Sequence, residues 1–199
     1  MHGRHVRTEA RRKILLVAAA ALLFAGASLF GQGVYIHAKA VLAQVLLHRA
    51  WARTLAGDAR AKPWPWADTW PVARLVVPER GVDVLILAGS NGRTIAFGPG
   101  HVFGTPLPGT PGNSVIGGHR DTNLAFLEDM PIGAEISVQR PNGAWTRYRV
   151  QSVAIVDKRD TWVMAGDEST RLTLITCYPF NALRDGGPRR YVVTAAAHI

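Results

Sequence analysis

One cysteine, Cys177, stands in a chain of 199 residues. A lone thiol excludes an intrachain disulfide framework and any CxxC-type zinc or redox site. No HExxH segment occurs, and the seven histidines are scattered, with only His2 and His5 close together. The phosphate-cradling GxxxxGK[ST], the dinucleotide-binding GxGxxG and the GxSxG elbow of serine hydrolases are all absent. Nucleotide binding and that type of serine chemistry therefore have no support. Acidic residues are few, 14 against 23 Lys and Arg, for a net +9. Five basic residues among the first thirteen (Arg4, Arg7, Arg11, Arg12, Lys13), set against Glu9, supply +4 of that excess and leave +5 for the rest. The basic character is thus largely a terminal cluster and not a stripe on a folded face, which argues against a nucleic-acid partner. There is no internal repeat and no low-complexity tract, and 48% apolar content rules out global disorder.

Charge is missing altogether from ILLVAAAALLFAGASLFGQGVYI, residues 14–36, where Ser28 and Gln32 are the only clearly polar side chains. A helix of this length crosses a hydrocarbon core of about 30 Å. A cleaved signal peptide is the competing reading, but its apolar region would be about 7–15 residues. The run is longer, so an uncleaved signal anchor is expected. The basic flank, residues 1–13, places the N-terminus in the cytoplasm and the remainder outside it. Cys177 is then a free thiol in an extracytoplasmic compartment.

Residues 37–57 keep a helical pattern, with Val41, Val45, Leu46, Trp51 and Leu55 recurring at three- to five-residue steps and Gly57 as a stop. The next stretch sets Pro63, Pro65 and Pro71 among Trp64, Trp66 and Trp70, so 37–69 divides into a membrane-proximal helix and a connector. These tryptophans suit either the lipid interface or the edge of the following domain, packing being the favoured reading. From about residue 70 the texture becomes β-rich. VARLVV, VDVLILA, TIAF, SVIGGH, AEISVQ, WTRYRVQSVAIV, RLTLITC and RYVVTAAA read as short strands, and NLAFLEDM as a short helix. A Gly/Pro-rich loop spans 98–113 and a second loop 157–170. Seven or eight short strands with few helices imply a mainly β fold, a closed barrel over 70–199.

Three residues fall at the ends of expected strands: His119 in GGHRDT, Cys177 in TLITCYP and Arg190 before YVV. A thiol with a pKa of about 8.5 needs a basic or cationic neighbour to react at neutral pH. Imidazole can take and return the proton, and an arginine can hold a carbonyl or an oxyanion. Taken singly, each residue has a simpler explanation in packing or surface charge; the combination points to acyl transfer through a thioester. LPGTP, residues 107–111, reads as a proline–glycine turn.

TLITCYP, GNSVIGGHRDT and the arginine opening the last strand resemble the sortases, membrane-anchored cysteine transpeptidases, in the family's order and over roughly residues 70–197. WPWADTWPVARL, GVDVLILAG, RTIAFGPG and TCYPFNAL…GGPRRYVV are most similar to the class GN sortases of Gram-negative bacteria. The resemblance implies Cys177 as nucleophile, His119 as acid and base, and Arg190 as the oxyanion or substrate-orienting group, with Arg189 and Arg184 as rivals for the last role. It gives Thr176 a part in shaping the substrate site or orienting the thiol, and the Tyr178 N–H a part as oxyanion donor. Asp121 serves either near the histidine or in its turn. The implied partners are a secreted protein with a C-terminal LPxTG-like sorting signal and an amine acceptor. The implied location is the inner membrane, with the catalytic domain periplasmic. No cofactor is implied; some sortases use calcium, and no carboxylate cluster here calls for it. Papain-like proteases place the cysteine before its histidine, and L,D-transpeptidases place glycine directly before the cysteine, where this chain has Thr176. Two alternatives stay open: release of the substrate by hydrolysis, and a membrane-tethered β-barrel binding module without chemistry.

Overall fold

The computed structural model describes residues 3–182 and 186–198. Two compact units divide the chain, residues 1–42 and residues 43–199. Helix α1 runs without a break over Gly3–Leu55, so the anchor and the membrane-proximal helix expected from the sequence form a single element. No proline interrupts it, and the first prolines come at 63 and 65. Its most apolar 18-residue window has a mean hydropathy of 1.9, and the helix is long and apolar enough to cross a membrane by length and composition. Gly57, at φ +108°, takes the left-handed conformation that ends the helix.

In the second unit eight strands close a barrel in the order β1-β2-β3-β4-β7-β8-β6-β5. They are β1 (Pro71–Val77), β2 (Val82–Ala88), β3 (Gly100–His101), β4 (Gly112–Gly117), β5 (Glu135–Gln139), β6 (Trp145–Asp157), β7 (Thr170–Tyr178) and β8 (Arg189–His198). The β2–β3 and β4–β7 pairs are parallel and the rest antiparallel. The period-2 alternation of side chains sorts each strand into two faces. On β2, Ile86 and Ala88 join the barrel core, while Leu85 and Leu87 pack outward against Leu47 and Trp51 of α1 and Phe97. On β7 and β8, Leu172, Leu174, Val193 and Ala195 face the core with Tyr148 and Ile136.

Two expected elements differ. TIAF is not a strand: residues 92–97 form successive turns. The Asn91 side-chain oxygen accepts the N–H groups of Arg93 and Thr94, both at 3.0 Å, and the Asn91 carbonyl accepts that of Ile95 at 3.0 Å. These local side-chain bonds outcompete the β tendency of the short apolar run. NLAFLEDM contains only a 3-10 turn, Ala125–Leu127, because Asp129 turns left-handed at φ 59° and Pro131 follows. The 98–113 loop contains β3, which lies so close to residue 89 that a Cβ on Gly100 would fall 2.2 Å from the Gly89 carbonyl oxygen. Within LPGTP, Gly109 is left-handed at φ 82° and donates its N–H to the Tyr148 hydroxyl at 2.6 Å. Of the connector tryptophans, Trp64 meets Phe97 edge-on at 5.3 Å and Trp70 packs against the core, while Trp66 is 82% exposed.

A candidate thiol site at the ends of three strands

Strands β4, β7 and β8 are consecutive in the barrel wall. In the parallel β4–β7 pair, Gly117 lies opposite Ile175, so His119 and Cys177 each stand two residues farther along the same direction. In the antiparallel β7–β8 pair, Cys177 lies directly opposite Arg190. Residues opposed in this way project from the same face of the sheet. Because Leu172 and Leu174 face the core, Cys177 belongs to the outer face of β7, and Arg190 shares it. The candidate site therefore lies on the outside of the barrel wall. Arg189 pairs with Tyr178 on the opposite face, its guanidinium 5.7 Å from the centre of that ring. Arg184 lies outside the described residues.

The Cys177 side chain is half-buried and His119 is exposed. Arg190 folds back on its own loop, with Nη1 donating to the carbonyls of Gly187 at 2.7 Å and Arg189 at 2.9 Å. Thr176, 2% exposed, donates its hydroxyl to the Gly118 carbonyl at 2.8 Å, and the Gly118 N–H returns a bond to Ile175. Two bonds thus fasten the turn that carries His119 to the strand that carries Cys177, next to the thiol. Thr176 itself faces inward, away from the thiol's side of the strand. Asp121 is exposed in the turn spanning residues 120–124. Tyr178 is half-buried and its ring stacks on Tyr191 at 6.1 Å. Burial raises the pKa of the Tyr191 phenol above its ordinary value, with Asp129, Tyr178 and Glu128 adding to the effect. Among the described residues no group of three or more His, Cys, Asp or Glu side chains is placed to hold a metal ion.

Arg120 was not singled out by sequence reasoning. It is 6% exposed beside His119, and its Nη2 donates to the Ala182 carbonyl at 2.8 Å. It ties the histidine turn to the loop that leads from Cys177 to Arg190. Nothing local in GGHRDT marks this arginine as buried, because its partner lies 62 positions away.

A sheltered thiol, an imidazole past the adjacent strand end and a cation opposite the thiol are the kinds of group that acyl transfer through a thioester requires. Known proteins carry the assignment further. The sortase domain model matches residues 75–198, well over half of the chain, and the chain belongs to the sortase family. Sortase D of Bacillus subtilis (strain 168) is 30% identical over 120 residues, which span 60% of this chain and 60% of that protein's length. The sortase C-1 structure from Actinomyces oris matches with a TM-score of 0.58 at 31% identity, covering 65% of this chain and 73% of that one. A sortase D5 transpeptidase from Clostridium perfringens has a TM-score of 0.59 at 22% identity, covering 76% of this chain and 88% of that one, a likeness of fold.

Proposed function

We propose that this chain is a membrane-anchored cysteine transpeptidase, with Cys177, His119 and Arg190 as its catalytic residues. The observation that carries the reading is the strand register, with Cys177 opposite Arg190 and His119 two residues past the end of the neighbouring strand β4, level with the thiol in sequence step. The Cys177 thiolate attacks the carbonyl carbon of a scissile peptide bond in an LPxTG-like sorting signal. Arg190 and the Tyr178 N–H hold the developing oxyanion. The C–N bond breaks, His119 gives its proton to the leaving amine, and a thioester remains on Cys177. An acceptor amine then attacks the thioester, His119 takes its proton, and the C–S bond breaks to release the Cys177 thiolate. Thr176 acts through Gly118, and Asp121 belongs to the histidine turn.

In this reading residues 1–13 are cytoplasmic, 14–36 span the inner membrane, 37–69 connect, and 70–199 form a periplasmic catalytic domain. The substrate is a secreted protein held on the same membrane, which raises its effective concentration. The segments flanking the site favour class GN, whereas the relatives above bear the names sortase D and sortase C; a panel of sorting motifs separates these subclasses. With water as acceptor the same thioester would make the enzyme a thiol hydrolase.

The test is mass spectrometry of the full chain in detergent micelles after incubation with LPxTG-type peptides. Addition of the acyl fragment to Cys177, absent in Cys177→Ala and strongly reduced in His119→Ala, is the expected result. Products formed with and without added amines distinguish transfer from hydrolysis. No adduct or cleavage across the panel, together with slow thiol alkylation that His119→Ala leaves unchanged, would favour a binding module.

A further inference from the structure

Away from the thiol site, the end of α1 and the connector border an open cleft of about 530 Å³ whose lining includes Leu46, Arg49, Arg53, Asp58, Arg60 and Lys62. Leu46, Arg49 and Arg53 follow one another at steps of three and four, on one face of the helix. Four cations and one carboxylate leave the lining with a net charge of +3. Asp58 accepts the backbone N–H of Arg60 at 3.3 Å. Among the described residues it forms no ion pair with any of the four cations.

The cleft is built on rigid parts. Ala61 is fully buried and Pro63 is buried. Trp64 is wedged edge-on against Phe97, which itself packs on Leu47 and Trp51. Arg53 donates to the Lys62 carbonyl and so straps the connector to the helix. Arg60 lies over the Trp70 ring at 5.3 Å. All four cationic side chains are exposed, so an anion reaches them directly from solvent.

We propose that this cleft binds a phosphate ester. Guanidinium forks and a lysine ammonium match phosphate oxygens in geometry and charge. An excess of three positive charges suits an anionic phosphate, whose several oxygens can accept from more than one of these side chains. The wall of Leu46, Pro63, Trp64 and Pro65 takes the apolar part of the ester. The volume fits a head group or small ester, and the Trp64 edge contact with Phe97 leaves no row of stacking platforms for a nucleic acid. Its lining shares no residue with the site at Cys177, His119 and Arg190.

Phenylglyoxal modification of arginines, mapped by peptide mass spectrometry, tests the proposal on the full chain in phosphatidylcholine nanodiscs at constant ionic strength. One arm adds inorganic phosphate or glycerol phosphate in solution. A second arm replaces part of the phosphatidylcholine with phosphatidylglycerol. Arg93, exposed and outside the cleft, is the internal reference. At about ten times the dissociation constant, occupancy is roughly nine-tenths and modification of Arg49 and Arg60 should slow about tenfold. Protection by the soluble ligands identifies a soluble phosphate ester as ligand. Protection only in phosphatidylglycerol discs identifies a lipid head group. Lys62→Glu should abolish either effect. No protection, protection shared equally by Arg93, or protection unchanged in Lys62→Glu overturns the proposal.

Discussion

Arg120 keeps a full charge where only 6% of its surface reaches solvent, one residue from His119. Burying a guanidinium is costly unless its donors are met, and removing it would leave the Ala182 carbonyl without the bond it now accepts. Arg120→Met should therefore lower stability by about 1–3 kcal/mol. It should also slow alkylation of Cys177 and shift the pH profile of that reaction, because the histidine turn loses its tie to the loop after the thiol. Arg120→Lys should recover part of the rate. An unchanged profile in Arg120→Met would make the arginine purely structural. Thr176→Val isolates the second fastening: loss of the 2.8 Å bond to Gly118 should cost about 1 kcal/mol in urea denaturation and slow alkylation in the same direction. His119, Cys177 and Arg190 stood out in the sequence because Cys177 and Arg190 sit at the ends of apolar strand patterns and His119 follows the buried run of β4 by two residues. Which of Arg190 and Arg189 lies opposite Cys177 was not legible, since register is a property of two strands.

At the scale of elements, the 98–113 loop is held at one end by the β3 pairings and at Gly109 by a buried tyrosine. The Tyr148 hydroxyl accepts the Gly109 N–H at 2.6 Å, and Arg140 approaches the Gly109 carbonyl at 3.4 Å. Burial raises the Tyr148 pKa above its ordinary value, outweighing the Gly109 bond and the Arg140 charge that lower it. A phenol whose folded pKa is raised contributes stability that is fully present below the unfolded value of about 10. That contribution falls as pH rises through the folded value. Urea midpoints measured on either side of pH ~10 should thus decline more steeply for the native chain than for Tyr148→Phe. At neutral pH, Tyr148→Phe should cost about 1 kcal/mol, since the Gly109 N–H loses its acceptor. Equal alkaline slopes would assign the decline to other groups. The strands themselves were readable from period-2 alternation, down to Ile136 and Val138 buried on β5. The element that misled was TIAF, apolar enough for a strand yet held in turns by the Asn91 side chain. β3 was invisible for the opposite reason: its two residues pair by close backbone approach at Gly100, which leaves no apolar pattern to read.

For the whole molecule, the boundary that matters lies inside α1. The sequence suggested a connector up to residue 69 and a barrel after it, yet residues 43–199 form one compact unit that includes the last turns of the helix. Leu47 and Trp51 are 1% and 4% exposed and cover Leu85 and Leu87, the outward-facing apolar residues of β2. Gln44 adds a 2.8 Å bond to the Phe97 carbonyl. The helical periodicity of 37–57 was visible in the sequence, but the surface that its apolar face covers was not, because Leu85 and Leu87 merged into a run that reads as wholly internal. A soluble chain beginning at Ala43 keeps this packing, and one beginning at Asp58 leaves the outer face of β2 bare. Loss of a buried leucine or tryptophan costs about 2–5 kcal/mol each. The chain starting at Asp58 should therefore be less stable by at least about 3 kcal/mol. For a domain of this size that lowers the melting temperature by roughly 6–12 °C. Leu47→Ala with Trp51→Ala in the longer chain should reproduce most of that loss, which attributes it to these two side chains and not to helix length. Equal melting temperatures for the two truncations would mean that the helix end rests on the barrel without stabilising it. The barrel would then be the whole folding unit.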